Sequence, residues 1–227
     1  MTLPVATPTA LRGRVIALLG AESTGKTELA KALASALDAR GTPCMLVTEY
    51  LRERYDREGR VPRPDEQLAI VTKQAQRIAT AALQGDVIAD TTSLMTAIYS
   101  DLLFGDASLY PQALVTQRTY AVTLVTALDV PWVADGLQRV GPHVREPVDA
   151  LLRSALARGD VAYSVVYGTD EQRLTNALTA IDSLLYRVPT TPDRPDPTSE
   201  SPSWHCDRCS DPACEHRLFS DLIGRQK

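Results

Sequence analysis

A glycine-rich octapeptide at residues 20–27 constrains this chain more than any other part of its sequence. It fits G-x-x-x-x-G-K-[ST], the loop that holds the phosphates of nucleoside triphosphates. Five apolar residues precede it, at 15–19, as in a buried parallel strand, and residues 26–40 carry leucines at helical spacing. Because a phosphate-binding loop joins a strand to a helix, this context favours nucleotide binding over an ordinary glycine-rich turn.

The residue types within the loop suit a polyanion. Gly20 and Gly25 allow the backbone to approach a phosphate that a Cβ atom would obstruct, and the helix N-terminus adds partial positive charge. We expect Lys26 to reach the β- and γ-phosphates of ATP and the Thr27 hydroxyl to hold Mg²⁺. Glu22 would repel a phosphate, so its side chain is expected to face the acceptor or bind another loop residue. The residues expected to bind the nucleotide are Gly20, Ala21, Glu22, Ser23, Thr24, Gly25, Lys26 and Thr27.

Composition excludes several classes of protein. A chain of 227 residues is long enough for one α/β domain with an appendage. Its net charge of -4 gives no electrostatic reason to expect binding to nucleic acid or to a membrane. Apolar runs are too short to span a membrane, and residues 1–9 lack the basic and apolar regions of a signal peptide. We therefore expect a cytoplasmic protein.

Apolar runs and helical periodicities alternate along the rest of the chain. This order predicts a three-layer α/β sandwich with a parallel sheet at residues 13–187. A linker rich in proline, threonine, aspartate and serine follows at 188–203, and a Cys/His-rich segment occupies 204–227. Further strands are predicted at 43–48, 86–90, 121–128 and 161–167. Further helices are predicted at 65–83, where Asp65 is the expected N-cap, and at 93–104, 109–120 and 170–186. Another helical segment is predicted to follow residue 139 and to end at Arg158.

Two acids follow predicted strands. Glu49 comes just after the second strand and Asp90 ends the third, so both are expected in the crevice that contains Lys26. Asp90 is typical of an acid that binds Mg²⁺ directly or through water, and Glu49 of a group that accepts the proton of an attacking hydroxyl. The alternative for each is a helix cap or a solvated carboxylate.

The position of other side chains along the chain also predicts a role for them. Arg52 follows Glu49 closely in the sequence, so its side chain is expected near the same crevice, where it could contact an acceptor or a phosphate. Arg139 and Arg145 flank Gly141-Pro142, in a segment suited to a lid that closes over the triphosphate. The alternative for each of these three arginines is a solvated surface side chain. The apolar residues of the helix at 93–104 are expected to serve the core, as is Cys44.

Four segments, in chain order, resemble one known family. They are residues 20–27, Glu49-Tyr50-x-Arg52-Glu53, Ile88-Ala89-Asp90-Thr91 and Trp132-Val133-x-Asp135-Gly136-Leu137. Over about residues 13–186 the chain is similar to the nicotinamide-riboside kinase domain of the bacterial NAD-biosynthesis regulator and its AAA-type relatives. The resemblance implies a P-loop kinase fold and phosphorylation of a nucleoside 5′-hydroxyl by ATP, most simply that of nicotinamide riboside.

The residue patterns and the resemblance together predict roles for individual residues. Lys26, Glu49, Asp90 and Arg139 would be catalytic. Glu49, Tyr50, Arg52 and Asp135 would bind the acceptor. The chain departs from the family where Gln138 follows Gly-Leu and Arg139 comes one place later, and it shows no counterpart of the regulator's adenylyltransferase and DNA-binding portions.

The C-terminal segment contains a cluster of metal-ligand residues. Cys206, Cys209, Cys214 and His216 supply the ligand set of a structural zinc site, with His205 as the substitute fourth ligand. The alternative is a redox-active or unstructured tail. Two functions therefore remain open. One is a nucleoside kinase, and the other is a regulatory or adaptor ATPase whose zinc tail docks a protein partner.

Overall fold

The computed structural model describes residues 13–133 and 141–185. Five parallel strands form one sheet in the order β2-β3-β1-β4-β5. The strands are β1 (Val15–Leu19), β2 (Met45–Val47), β3 (Val87–Asp90), β4 (Val122–Thr126) and β5 (Ser164–Val166). The helices are α1 (Lys26–Ala39), α2 (Tyr50–Glu58), α3 (Gln67–Ala82), α4 (Ser93–Phe104), α5 (Tyr110–Gln117), α6 (Arg145–Arg158) and α7 (Asp170–Leu185).

The sheet is covered by helices on both faces, and the central strand β1 shows why. All five of its residues are buried. Ile16 and Leu18 pack with apolar residues of α1 and α7, whereas Leu19 packs on the other side with α4 and α6. Because side chains alternate across a strand, a continuous apolar run requires a layer on each face. The predicted parallel α/β sandwich is confirmed, and its carboxyl-end edge brings the P-loop, Glu49 and Asp90 together.

The element predicted least well is α2, which the sequence presented only as a charged segment. None of its nine residues is buried, so it lacks the apolar periodicity by which a helix is recognised. It ends at Gly59, whose φ of 66° closes the helix. An ion pair one turn apart, between Arg54 Nε and Glu58 Oε1 at 2.9 Å, supports its last turns.

Two further expectations were wrong in detail. Asp65 is not the N-cap of the following helix, because Pro64–Glu66 form a 3₁₀ turn and the Glu66 carboxylate accepts a hydrogen bond from Arg63 N at 2.8 Å. Cys44 lies at the margin of the core rather than inside it, and its thiol donates to the Thr42 carbonyl oxygen at 3.6 Å. Burial and the nearby Asp86 carboxylate raise the pKa of the Cys44 thiol.

Within residues 13–133 and 141–185, no helix is both long and apolar enough to cross a bilayer. The linker and the Cys/His-rich segment predicted at 188–227 lie outside the described residues.

Candidate nucleotide and acceptor site

A cavity of about 640 Å³, here called the cleft, opens at the carboxyl ends of β1, β2 and β3. One wall is the P-loop together with the first turns of α1. The other wall comes from α2, the connection to α3, and α4. Polar lining residues include Gly20, Glu22, Ser23, Thr24, Gly25, Lys26, Thr27, Glu49, Arg52, Gln67 and Thr91. Seven of the eight P-loop residues therefore share one cavity with Glu49 and with Thr91, the residue that follows Asp90.

Glycine is required at two positions of the P-loop. A Cβ atom at Gly20 would lie 2.1 Å from Thr126 Oγ1, and the φ of Gly20 is 147°. Gly25 has a φ of 73° and is the N-cap of α1, so the loop enters the helix through a left-handed residue. These conformations turn the loop tightly from β1 into the N-terminus of α1.

Thr24 anchors the loop rather than facing the cleft with a free hydroxyl. Its side chain is fully buried and donates to the Ala21 carbonyl oxygen at 2.7 Å. Thr126, at the end of β4, lies 2.7 Å from the same hydroxyl and can donate to it. Sequence reasoning missed Thr126. The available signal was a threonine at the carboxyl end of an apolar strand, which in a parallel sheet faces the ligand-binding edge.

The side chains at the tip of the P-loop bind neighbouring backbone. Lys26 Nζ donates to the Ala21 carbonyl oxygen at 2.7 Å. Ser23 Oγ accepts a hydrogen bond from Val133 N at 2.7 Å. Glu22 Oε1 accepts from Gly141 N at 3.3 Å, which is one of the two arrangements expected for it. Glu22 and Ser23 thus fasten the loop to both borders of the segment 134–140.

The donor set for a divalent cation lies between α1 and β3. Thr27 Oγ1 donates to Asp90 Oδ2 at 2.7 Å, and Asp90 is only 2% exposed. Asp90 Oδ1 has no hydrogen-bond partner among the described residues. A buried carboxylate with one unsatisfied oxygen beside a P-loop hydroxyl fits Mg²⁺, which prefers oxygen ligands and retains waters.

Glu49 is the N-cap residue of α2, and its half-buried side chain lines the cleft. Arg52 lines the cleft too, with its Nε atom 4.0 Å from Glu49 Oε2. Tyr50, expected at the acceptor, lies outside the cleft lining, with its ring 5.8 Å from the Arg77 guanidinium carbon. Glu53 turns away as well and receives two hydrogen bonds from Arg77, each 2.8 Å long. Hydrogen bonds from Arg77 and Thr48 lower the pKa of Glu53.

The acceptor side of the cleft is apolar and rich in aromatic rings. The lining residues there are Leu51, Tyr55, Val61, Pro62, Met95, Tyr99, Leu103 and Phe104. Met95 is also part of the core cluster formed by α4 and α6, as expected for it. The assignment of this helix to the core alone was incomplete, because Met95, Tyr99 and Leu103 also form a wall of the cleft.

Two buried arginines, Arg145 and Arg173, contact the loop that follows β4. Arg145 is 9% exposed and donates to the carbonyl oxygens of Leu128 and Val130, at 3.3 and 2.9 Å, so it supports this loop instead of serving as a lid arginine. Arg173 of α7, which sequence reasoning missed, is 5% exposed and pairs with Asp129 at 3.3 Å. Burial lowers the pKa of Arg173, although Asp129 opposes that shift.

Several predicted site residues lie outside the described residues. They are Asp135, Arg139, and the zinc-ligand set Cys206, Cys209, Cys214 and His216 with its substitute His205. In the part of the chain that the structure describes, no group of three or more His, Cys, Asp or Glu side chains is placed to hold a metal ion.

Solved structures with a similar fold include two of NadR protein. The complex with NR (nicotinamide riboside) has a TM-score of 0.63 and the complex with NAD and AMP-PNP one of 0.60, each at 20% identity over 76% of this chain. The match covers 52% and 49% of the NadR chains, so this chain spans about half their length. Thymidylate kinase from Ehrlichia chaffeensis, at 16% identity, has a TM-score of 0.50 over 76% of this chain and 98% of its own. These similarities show a P-loop kinase-like fold.

No curated protein matches the chain. A family model does, and it is described as an AAA domain and covers residues 15–173, from the first residue of β1 to Arg173. The match takes in all five strands and every described side chain that lines the cleft. The resemblance suggested by the four sequence segments is thereby confirmed, and the chain belongs to this AAA-domain family of P-loop proteins.

Proposed function

We propose that this protein is an ATP- and Mg²⁺-dependent kinase that phosphorylates the 5′-hydroxyl of a nucleoside, with nicotinamide riboside as the favoured acceptor. The observation that carries the proposal is the cleft itself. Seven of the eight P-loop residues and a candidate base, Glu49, line the same cavity, and that cavity continues into an apolar, aromatic pocket. Its volume of about 640 Å³ lies within the range of small-molecule sites, roughly 300–1,000 Å³.

The P-loop side is assigned to ATP. The backbone amides of the loop and the N-terminus of α1 hold the phosphates, and Lys26 places its charge on the β- and γ-phosphates. Thr27 and Asp90 hold Mg²⁺, directly or through water. Magnesium supplies positive charge beside the transferring phosphoryl group when it is bound. With the phosphates present, the Lys26 ammonium exchanges the Ala21 carbonyl oxygen for phosphate oxygens.

Glu49 is assigned to the acceptor hydroxyl. Its carboxylate accepts the hydroxyl proton as the oxygen attacks the γ-phosphorus, and the bond to the β,γ-bridging oxygen of ATP breaks. Arg52, paired with Glu49 across 4.0 Å, orients that carboxylate and contacts the acceptor or a phosphate. Asp135 is proposed to bind the acceptor and Arg139 to act in catalysis, as the sequence predicts, whereas Tyr50 lies outside the cleft lining and is not assigned to the acceptor.

Nicotinamide riboside fits the acceptor side chemically. Its flat pyridinium ring is cationic and would gain from the faces of Tyr55, Tyr99 or Phe104. The carboxylates of Glu22 and Glu49 line the same cavity, and their negative charge would favour a cationic ligand. The solved NadR complex with NR supports the same choice, because its fold matches this chain.

The proposal is tested by measuring ADP release with ATP and Mg²⁺ alone, and then with a panel of nucleosides. Nicotinamide riboside at saturation is expected to raise the rate well above the ATP-only rate. If no nucleoside in the panel does so, the regulatory or adaptor ATPase becomes the better account.

For the C-terminal segment we propose a structural zinc site formed by Cys206, Cys209, Cys214 and His216, with His205 as the substitute. The spacing of these residues supports it. A small zinc module joined by a proline-rich linker suits a docking role, so a protein partner is proposed for it.

A further inference from the structure

One buried glutamine joins the two strand ends that carry Glu49 and Asp90. Gln74 lies in α3 and is 3% exposed. Its Oε1 atom accepts a hydrogen bond from Tyr50 N at 2.8 Å, and its Nε2 atom donates to the Thr91 carbonyl oxygen at 3.0 Å. The partners fix the orientation of the amide, because a backbone N–H only donates and a carbonyl oxygen only accepts.

The position of Gln74 within α3 is one where an apolar side chain would be ordinary. Ile70, Val71 and Ile78 are buried on the same face of the helix, three or four residues away. A buried amide is unfavourable unless its hydrogen bonds are made. Both ends of the Gln74 amide are satisfied by backbone of the strand-end segments, so these contacts account for a polar residue here.

Thr91, which belongs to one of the two segments that Gln74 contacts, has an unusual backbone conformation. Its φ is 74°, and among the described non-glycine residues with positive φ it is the β-branched one. The remaining members of that set are Ser23, Asp160 and Asp170. Thr91 N donates to the Leu18 carbonyl oxygen at 3.1 Å, and its own carbonyl oxygen accepts from Gln74. Both backbone groups are thus fixed, as expected where surrounding structure maintains a strained conformation.

The side chain of Thr91 lines the cleft next to the proposed magnesium ligand. Thr91 is 4% exposed, and its Oγ1 atom has no hydrogen-bond partner within the described part of the chain. Strained residues of this kind concentrate at functional sites. The conformation held by Gln74 therefore bears directly on the backbone that places Asp90.

We propose that Gln74 is a positioning residue for phosphoryl transfer. Its amide fixes the spacing between the segment that carries Glu49 and the segment that carries Asp90, and it holds Thr91 in its left-handed conformation. The proposal rests on the proposed kinase function for the role of Glu49. Its effect on Asp90 concerns the magnesium-dependent binding of ATP and needs no acceptor.

The test compares Gln74→Glu and Gln74→Met with the wild-type protein. In Gln74→Glu the acceptor for Tyr50 N is kept, but the donor to Thr91 is lost. A misplacement of about 1 Å can cost on the order of 10²-fold in rate. We therefore expect kcat with the nucleoside to fall about 10- to 100-fold in both variants, while the KM for ATP at saturating Mg²⁺ changes less than about twofold.

Gln117→Met is the matched control. Gln117 is also buried and also bridges two partners, Thr92 and Thr123, through hydrogen bonds of 2.7 and 2.9 Å. Because it contacts neither Tyr50 nor Thr91, its loss should lower the melting temperature and leave kcat near the wild-type value. Gln74 variants that keep wild-type kcat, or lose it only as far as Gln117→Met does, would overturn the inference.

A second readout separates this inference from the proposed function. Binding of a non-hydrolysable ATP analogue is titrated with Mg²⁺ in the absence of any nucleoside. Gln74→Glu is expected to raise the half-saturating Mg²⁺ concentration several-fold, since Asp90 is displaced, whereas Gln117→Met should not. If the wild-type protein phosphorylates no nucleoside, the proposed function fails and this titration alone decides. An unchanged Mg²⁺ dependence in Gln74→Glu overturns the positioning role in either case.

Discussion

Asp90 carries a carboxyl group that is almost completely buried, and neighbouring groups satisfy only one of its two oxygen atoms. Thr27 hydrogen bonds to one carboxylate oxygen, while the other has no partner among the described residues. A buried ion left uncompensated costs several kcal/mol. A cation beside Asp90 removes that cost, and the P-loop delivers one together with the phosphates. The same reasoning gives Lys26 its role, because its ammonium group can exchange one carbonyl oxygen for phosphate oxygens.

Lys26→Ala is expected to reduce ATP-dependent turnover by about 10²-fold or more, since it removes the charge closest to the transferring group. The fold should survive, because Lys26 lies in the first turn of α1 and outside the core clusters. Steady-state kinetics and circular dichroism measure the two effects. The control is Lys73→Ala, an exposed lysine of α3. A folded Lys26→Ala protein with wild-type turnover would remove the P-loop from the mechanism.

Substitution of the two strand-end acids, Asp90 and Glu49, should affect different kinetic quantities. Asp90→Asn keeps the size of the side chain but loses its charge, so the Mg²⁺ concentration for half-maximal rate should rise about 10- to 100-fold. Glu49→Gln should lower kcat by about 10²–10⁴-fold with little change in ATP affinity, as for loss of a general base.

Glu53→Gln is the control for Glu49→Gln, because Glu53 lies in the first turn of α2, next to its N-cap Glu49, and pairs with Arg77 instead of lining the cleft. Its kcat should stay near the wild-type value. A Glu49→Gln rate within about a factor of two of wild type would move the base to another residue.

At the scale of elements, the wall of the cleft formed by α2 depends on charged contacts. No residue of α2 is buried, so the hydrophobic effect contributes little to its position. Arg54 of α2 and Arg60 after it both reach Glu66, at 2.5 and 2.7 Å. This cluster fixes the connection that contributes Val61 and Pro62 to the cleft.

This cluster predicts a pH dependence of stability. Hydrogen bonds from the Arg60 side chain and the Arg63 backbone hold the pKa of Glu66 well below its usual range. A carboxyl group whose pKa is lower when folded stabilises the protein above its unfolded pKa of about 4.3, and that contribution is lost as the pH falls further. Glu66→Gln should therefore lower the urea midpoint at pH 7, and the difference from wild type should shrink below about pH 4.

The exposed Asp38 provides the control for this measurement. Asp38→Asn should change the urea midpoint little at either pH. A Glu66→Gln difference that stays constant from pH 7 to pH 3 would contradict the stabilising role of the ionised carboxylate.

Sequence reasoning identified the elements whose residues alternate between apolar and polar, or form apolar runs. It gave α4 its observed bounds, Ser93–Phe104, and placed the P-loop, Glu49 and Asp90 at one edge of the sheet. It failed for α2, whose charged residues carry no periodic signal. It also could not find Gln74, since the partners of this amide are 24 and 17 residues away along the chain and meet only through the order of the strands.

At the scale of the whole molecule, the AAA domain and the Cys/His-rich segment need different sources of stability. Residues 204–227 are too few to bury a core of their own, so an ordered fold there needs a metal or a partner surface. If zinc is that support, metal binding supplies the folding free energy of the segment alone. The chemistry of the cleft is then independent of it.

Metal analysis of protein purified under reducing conditions without chelator should find about one zinc per chain. The double variant Cys206→Ser/Cys209→Ser should lose the zinc and still bind ATP, because every residue assigned to ATP and Mg²⁺ lies between Gly20 and Asp90 of the sequence. The single variant Cys44→Ser should retain the zinc, since Cys44 lies at the margin of the α/β core. Purified protein without stoichiometric zinc would contradict the proposed zinc site.

The central claim is that the γ-phosphoryl group of ATP passes to the 5′-hydroxyl of a nucleoside bound in the cleft. The most direct measurement follows ATP labelled on the γ-phosphate, incubated with Mg²⁺, the protein and nicotinamide riboside. The account predicts that the label appears in a phosphorylated nucleoside in equal amount to the ADP formed, and that Lys26→Ala and Glu49→Gln both suppress the transfer. Label that appears only as inorganic phosphate, at a rate unaffected by any nucleoside, would contradict it.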